Sequence, residues 1–227
     1  MHYGTLSLPA RLFLLAWNTS RDKITGAPDL HLAVRAGALA ELAQRGVLFE
    51  QDRIVTPVVG ARTGDPVLDA LAELVEQSRP RTWRGWLTHR SRTTLGAVRE
   101  QLITQGYLRA ERGRILGLFP ARRFVLERAG HAEVLHAEAL AVLRGGQPVA
   151  EVPQEEAALV VCAATGKLRT VVSGKDRRRY KDRLDELTDR AGGTSPELRA
   201  LMSKLRDALG SAVASAEAAR SSGGGGG

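Results

Sequence analysis

The sequence predicts a mainly α-helical fold. Three observations predict it: apolar residues at helical spacing in most long segments, glycine and proline punctuation between them, and strand-like alternation confined to two short stretches. With 227 residues and 43% hydrophobic content, the chain can bury a sizeable core. Residues 1–219 read as one domain. Residues 220–227, closing on SSGGGGG, read as a flexible Gly/Ser tail.

Taken in order, LPARLFLLAW carries an apolar run from Pro9 to Trp17 that is too short for a bilayer and predicts a buried helix. Asn18 to Pro28 reads as a polar connector. Asp29 stands at the N-cap position of the next helix, whose stripe is Leu32, Leu39 and Leu42. Ala33, Ala36 and Ala40 beside that stripe permit close packing, and Gly46 after Arg45 ends the helix. Val47 to Val59 alternates weakly around Asp52, as in a short hairpin.

Thr63-Gly64-Asp65-Pro66 reads as a turn feeding an amphipathic helix through Leu68, Leu71, Leu74 and Val75, stopped at Pro80. Trp83 and Trp86 share a helical face. A helix over about Leu95 to Gln105 stops at Gly106, and Tyr107 to Leu126 reads as a hairpin. In that hairpin RILGLF forms one arm, Pro120-Ala121 lies near the turn, and RRFVL forms the other arm. Three further helical stretches follow: His131 to Leu143 before Gly145-Gly146, an apolar Pro153 to Ala164, and the charged KDRRRYKDRLDELTDR. A last helix runs from Pro196 to about Ala219. The helix–glycine–hairpin units around Gly46 and Gly106 resemble one another.

Charge is unevenly spread. Between Arg79 and Arg128 stand twelve arginines and three glutamates, so the formal +8 is concentrated there and the rest is near neutral. Such a field attracts anions, and both nucleic acid and an anionic membrane qualify.

Catalytic chemistry lacks carriers. Gly166-Lys167-Leu168 does not complete a phosphate-binding loop, and no glycine-rich dinucleotide fingerprint or Gly-x-Ser-x-Gly elbow occurs. His131 and His136 are five apart, off the spacing of a zinc-binding pair, and read as helix-surface residues. Cys162 is the single cysteine, in an apolar stretch, and reads as a buried inert thiol. A non-enzyme without metal or cofactor is expected. One cysteine, no span of ~20 apolar residues and no signal-like start point to the cytoplasm. Arginine outnumbers lysine 28 to 5, the footprint of a GC-rich genome such as a bacterial one.

The most telling stretch is Arg114 to Phe124, where Ile115, Leu116, Leu118 and Phe119 crowd a hairpin tip bracketed by arginines. Exposed apolar surface of this kind needs a cover, either the protein's own core or lipid. Burying one Leu or Phe is worth about 1.5–3 kcal/mol, and each arginine near an anionic bilayer adds about 1 kcal/mol. Two or three inserted side chains with the basic rim would together give reversible membrane binding.

The chain resembles the Golgi phosphoprotein 3 family from about Leu6 to Leu209. The likeness is carried by LSLPARLFLLAW, VRAGALAELAQRGVL, TGDPVLDAL, the arginine-rich tryptophan segment and the helix–Gly106–hairpin unit. The resemblance implies a central helical bundle wrapped by amphipathic helices, with an apolar hairpin on the membrane-facing side. It also implies a peripheral protein on the cytoplasmic face that binds phosphatidylinositol 4-phosphate, with a membrane-protein cargo. The family's headgroup pocket, one tryptophan and three arginines, maps onto Arg35 and Arg92, with the third arginine at Leu95 or, after one deleted helical turn, at Arg99. Arg90 joins this group, and the tryptophan position is Gly26. The rival reading is a winged-helix nucleic-acid binder, since a helix, a glycine and a basic hairpin also spell a recognition helix and wing. A DNA-reading wing has a polar tip, whereas ILGLF is apolar.

Overall fold

The computed structural model describes the backbone of residues 6–115 and 119–222, and side chains over that span except 112–122. The described chain is mainly helical, with three two-stranded antiparallel hairpins. Helix α1 (Leu8–Leu15) leads into β1 (Trp17–Asn18) and β2 (Lys23–Ile24). Then come α2 (Leu30–Gln44), β3 (Leu48–Gln51), β4 (Ile54–Pro57) and α3 (Pro66–Gln77). The arginine-rich segment forms α4 (Trp83–Thr88), α5 (Ser91–Thr104) and the long hairpin β5 (Leu108–Ile115) and β6 (Phe119–Leu126). Helices α6 (Ala129–Arg144), α7 (Gln154–Thr165), α8 (Gly174–Arg179), α9 (Lys181–Ala191) and α10 (Pro196–Ser222) complete it.

Helix α2 is the axis. Every residue from Leu32 to Ala43 is buried, as expected of a helix apolar on all sides, and α1, α5, α7 and α10 pack around it. Its small residues permit the close approach. A Cβ at Gly37 would lie 2.4 Å from Leu12 Cδ1, and Ala33 abuts Gly166 at the end of α7. The buried Glu41 carboxylate accepts from the Leu8 backbone N–H at 2.7 Å and from Arg45 at 2.5 Å, so α2 itself caps the start of α1. Among the described residues no helix is long and apolar enough to cross a membrane.

Several expectations shift. α1 ends at Leu15, and Trp17 instead pairs with Ile24 inside what reads as a connector. Asp29 sits at the N-cap position of α2, but its carboxylate makes no cap bond and takes both guanidinium nitrogens of Arg220 at 2.7 Å. α5 starts four residues before its expected beginning, and α10 continues to Ser222; residues 223–227 lie outside the described residues. In the long hairpin Ile115 pairs with Phe119, and Pro120 sits opposite Arg114 within β6, not at the turn. Trp83 and Trp86 face the core, at 3% and 0% exposure.

Candidate functional site

The site builds up from the middle of α2. Arg35 is fully buried, and its Nη2 donates to the carbonyl oxygen of Arg90 at 2.8 Å. Its Nε and Nη1 have no partner among the described residues. Burial pulls this guanidinium down to about 10, and no carboxylate among the described residues restores it. Buried cations are normally paired, so Arg35 is positive charge without its counter-ion.

Arg90 marks the junction that holds it. It adopts a left-handed conformation, φ 51°, immediately before α5, and α5 has no side-chain cap. A non-glycine residue there stores strain, on the order of 1–3 kcal/mol, and such strain gathers at functional positions. The first N–H groups of α5 and the positive end of its dipole therefore stand beside Arg35. Arg92 follows on the exposed face of the first turn. Its charge reaches His31, whose pKa lies below the usual value through burial first and Arg92 second. His89 is likewise lowered, through burial and then Arg81, Arg90 and Arg35.

Arg35 thus touches Arg90 through its backbone carbonyl, and the charge of Arg92 is felt at His31, one turn before Arg35 on α2. Arg99 lies apart. Two turns beyond Arg92, about 10 Å along the axis, its guanidinium covers the Phe124 ring of β6 at 4.5 Å. Leu95, the ungapped position of the third arginine, is half-buried between them. Ile115 and Phe119 form the last backbone pair of the hairpin, with side chains not described; Leu116 and Leu118 lie outside the described residues.

Gly26 leaves no room for a tryptophan. Its φ is +64°, a Cβ there would come within 3.0 Å of Arg169 Cβ, and the Arg169 N–H donates to its carbonyl at 3.3 Å. An arginine from the loop after α7 therefore stands against the position where the resemblance has an aromatic ring.

Three neighbours of the site escape sequence reasoning. His31 was legible in principle, because it precedes Arg35 by four residues and shares its helix face. Arg169 and the Asp29–Arg220 pair were not, since they join segments 191 residues apart in the latter case.

The arrangement offers positive charge with little to offset it. Cys162 is fully enclosed and its thiol is pushed up to about 12 by burial. His136 is half-buried rather than a surface residue, and its Nε2 bonds the Leu15 carbonyl at 2.9 Å. His131 is exposed and meets Tyr107 edge-on. A family model described as Golgi phosphoprotein 3 (GPP34) matches residues 8–218. No curated protein matches the chain.

Proposed function

The chain belongs to the Golgi phosphoprotein 3 family, and from that premise we propose that it is a peripheral membrane protein that binds an anionic phospholipid headgroup. Phosphatidylinositol 4-phosphate is the ligand of choice, held by Arg35, Arg92 and the start of α5. The observation that carries this is the buried, uncompensated Arg35 guanidinium. A phosphate monoester brings the missing charge and offers oxygens to the planar fork. Arg90 contributes its backbone carbonyl and strained geometry, which aim Arg35. Arg99 stands nearer the hairpin and contributes charge at the bilayer surface.

The hairpin supplies the second half of the affinity through Ile115, Leu116, Leu118 and Phe119. A single mode is weak: an arginine near the surface adds about 1 kcal/mol, whereas an inserted Leu or Phe adds about 1.5–3 kcal/mol. The protein acts on the cytoplasmic face, without catalysis, and presents a membrane-protein cargo. The winged-helix reading fares worse, because α5 packs against α1, α2 and α3 and leaves only a strip exposed. That strip includes the acidic Glu100 as well as Arg92.

The test is cosedimentation with phosphatidylcholine vesicles containing either phosphatidylinositol 4-phosphate or phosphatidylglycerol. Arg35→Ala lowers binding to the phosphoinositide roughly 10- to 100-fold, the worth of lost charged hydrogen bonds, and spares phosphatidylglycerol. Leu118→Asp weakens both by a similar factor. An equal loss on both lipids in Arg35→Ala reduces Arg35 to generic charge. Submicromolar binding to random duplex DNA at physiological salt hands the function to the nucleic-acid rival.

A further inference from the structure

A cleft of about 560 Å³ opens at the root of the long hairpin, lined by α1, the β1–β2 turn, α5 and β6. Its floor is apolar: Phe13, Trp17, Ile24, Leu95 and Phe124. Its rim is cationic: Arg21, Lys23, Arg99 and Arg123. None of Arg35, Arg90 and Arg92 lines it, while Leu95 and Arg99, the two positions that the resemblance offers for the third arginine, do, so it adjoins the Arg35 site along α5.

The walls are fixed from within. Phe13 and Trp17 are each 2% exposed, with rings 6.5 Å apart. Asp22, the one acid in the lining, adopts a left-handed conformation. It is engaged by the Trp17 indole N–H at 3.2 Å, the Leu126 N–H at 3.4 Å and Arg123 at 3.6 Å. These bonds dock the β1–β2 turn on β6 and turn the carboxylate's charge toward structure. Arg99 stacks on Phe124, and its buried Nε stands 4.0 Å from the Glu100 carboxylate, an ion pair without a hydrogen bond. Ile24, by contrast, stands 36% exposed beside the opening.

An open cleft of this size falls in the range of small-molecule sites, which are mostly apolar with a few polar groups fixing orientation. Its chemistry is selective. Aliphatic Ile24 and Leu95 suit a methylene chain better than a flat heterocycle, which would find the Phe13 and Trp17 rings almost fully enclosed. Four cations against one engaged carboxylate suit an anionic terminus.

We propose that this cleft binds a lipid-like anion, an alkyl chain ending in a carboxylate or phosphate, with the chain on the apolar floor and the anion at Arg99 and the neighbouring rim cations. The molecule has two sources, a free fatty acid or the acyl chain of an anionic bilayer phospholipid.

Isothermal titration of the full chain with monomeric laurate reads the first source. Saturable one-site binding is expected, weakened about tenfold by Arg99→Gln, the loss of one charged contact, and more strongly by Ile24→Glu, with circular dichroism unchanged. Phosphatidylglycerol vesicles whose acyl chains carry a photo-crosslinking group read the second, with label on peptides containing Ile24 or Leu95. Either positive supports the cleft and names its source. The proposal is overturned if neither occurs, if dodecyl maltoside binds as well as laurate, if adenosine monophosphate binds more tightly, or if soluble inositol 1,4-bisphosphate displaces laurate, which would put the anion at Arg35. Failure here with intact phosphoinositide binding leaves the headgroup reading untouched.

Discussion

In the proposed site Arg35 serves binding at the expense of folding, and this makes its removal informative. Leaving an ion buried without its partner costs several kcal/mol, against about 0.5–1.5 kcal/mol for its hydrogen bond to Arg90. Arg35→Met keeps the volume of the stem and discards the charge. The expected result is a melting temperature that rises by a few degrees, at about 2–4 °C per kcal/mol for this length, together with loss of phosphoinositide selectivity. A fall in melting temperature would mean the guanidinium braces the α2–α5 junction and is not held in reserve for a ligand. The charge pattern pointed at α5 as anion-facing, and the resemblance added Arg35. No sequence rule predicted the left-handed Arg90 that joins them, because a positive φ at an arginine has no local sequence signature.

At the level of elements, the two helix–glycine–hairpin units prove to be built alike. Gly46 N–H donates to the Ala43 carbonyl and Val47 N–H to that of Leu42; Gly106 and Tyr107 do the same to Ile103 and Leu102. Both glycines are left-handed, at φ 68° and 71°, completing the paired bonds of a helix C-cap that favours glycine. Neither position would bring an added Cβ closer than 3.6 Å to a neighbour. Gly46→Ala and Gly106→Ala therefore pay only the backbone term, roughly 1–2 kcal/mol each, and the double variant sums them in urea unfolding. Markedly unequal costs would show that one unit is held by its surroundings. This punctuation was readable because glycine chemistry is local. The hairpin register was not: an arm mixing arginines with apolar residues lacks one buried face to fix it. The turn was accordingly expected near Pro120, which stands in a two-stranded ribbon where a missing N–H is tolerated.

Across the whole molecule, the long-range ties explain what sequence order hid. α10 returns to the start of α2 through Arg220 and Asp29, and Lys167 pairs with Glu217 nearby, so the C-terminal third borders the site at the other end of the chain. The same proximity links stability and binding to pH with opposite signs. His31 and His136 are held below their ordinary value chiefly by burial, so the unfolded chain takes up those protons first. Stability is thus fully present above about 6.5 and falls as pH drops below it. Asp69, Asp176, Asp185 and Glu217, lowered by hydrogen bonds and cations, add a second loss in the acid range. His136→Gln retains a donor for the Leu15 carbonyl and should flatten the first step in a melting-temperature series. Headgroup binding runs the other way. An anion beside Arg92 offsets the charge that depresses His31, so its pKa rises on binding, and by linkage affinity grows as pH falls through that range. Titrating the His31 ring by NMR, with and without inositol 1,4-bisphosphate, measures both numbers in one sample. A pKa unmoved by the ligand would place the phosphate away from the α2–α5 junction, whatever the vesicle assays report.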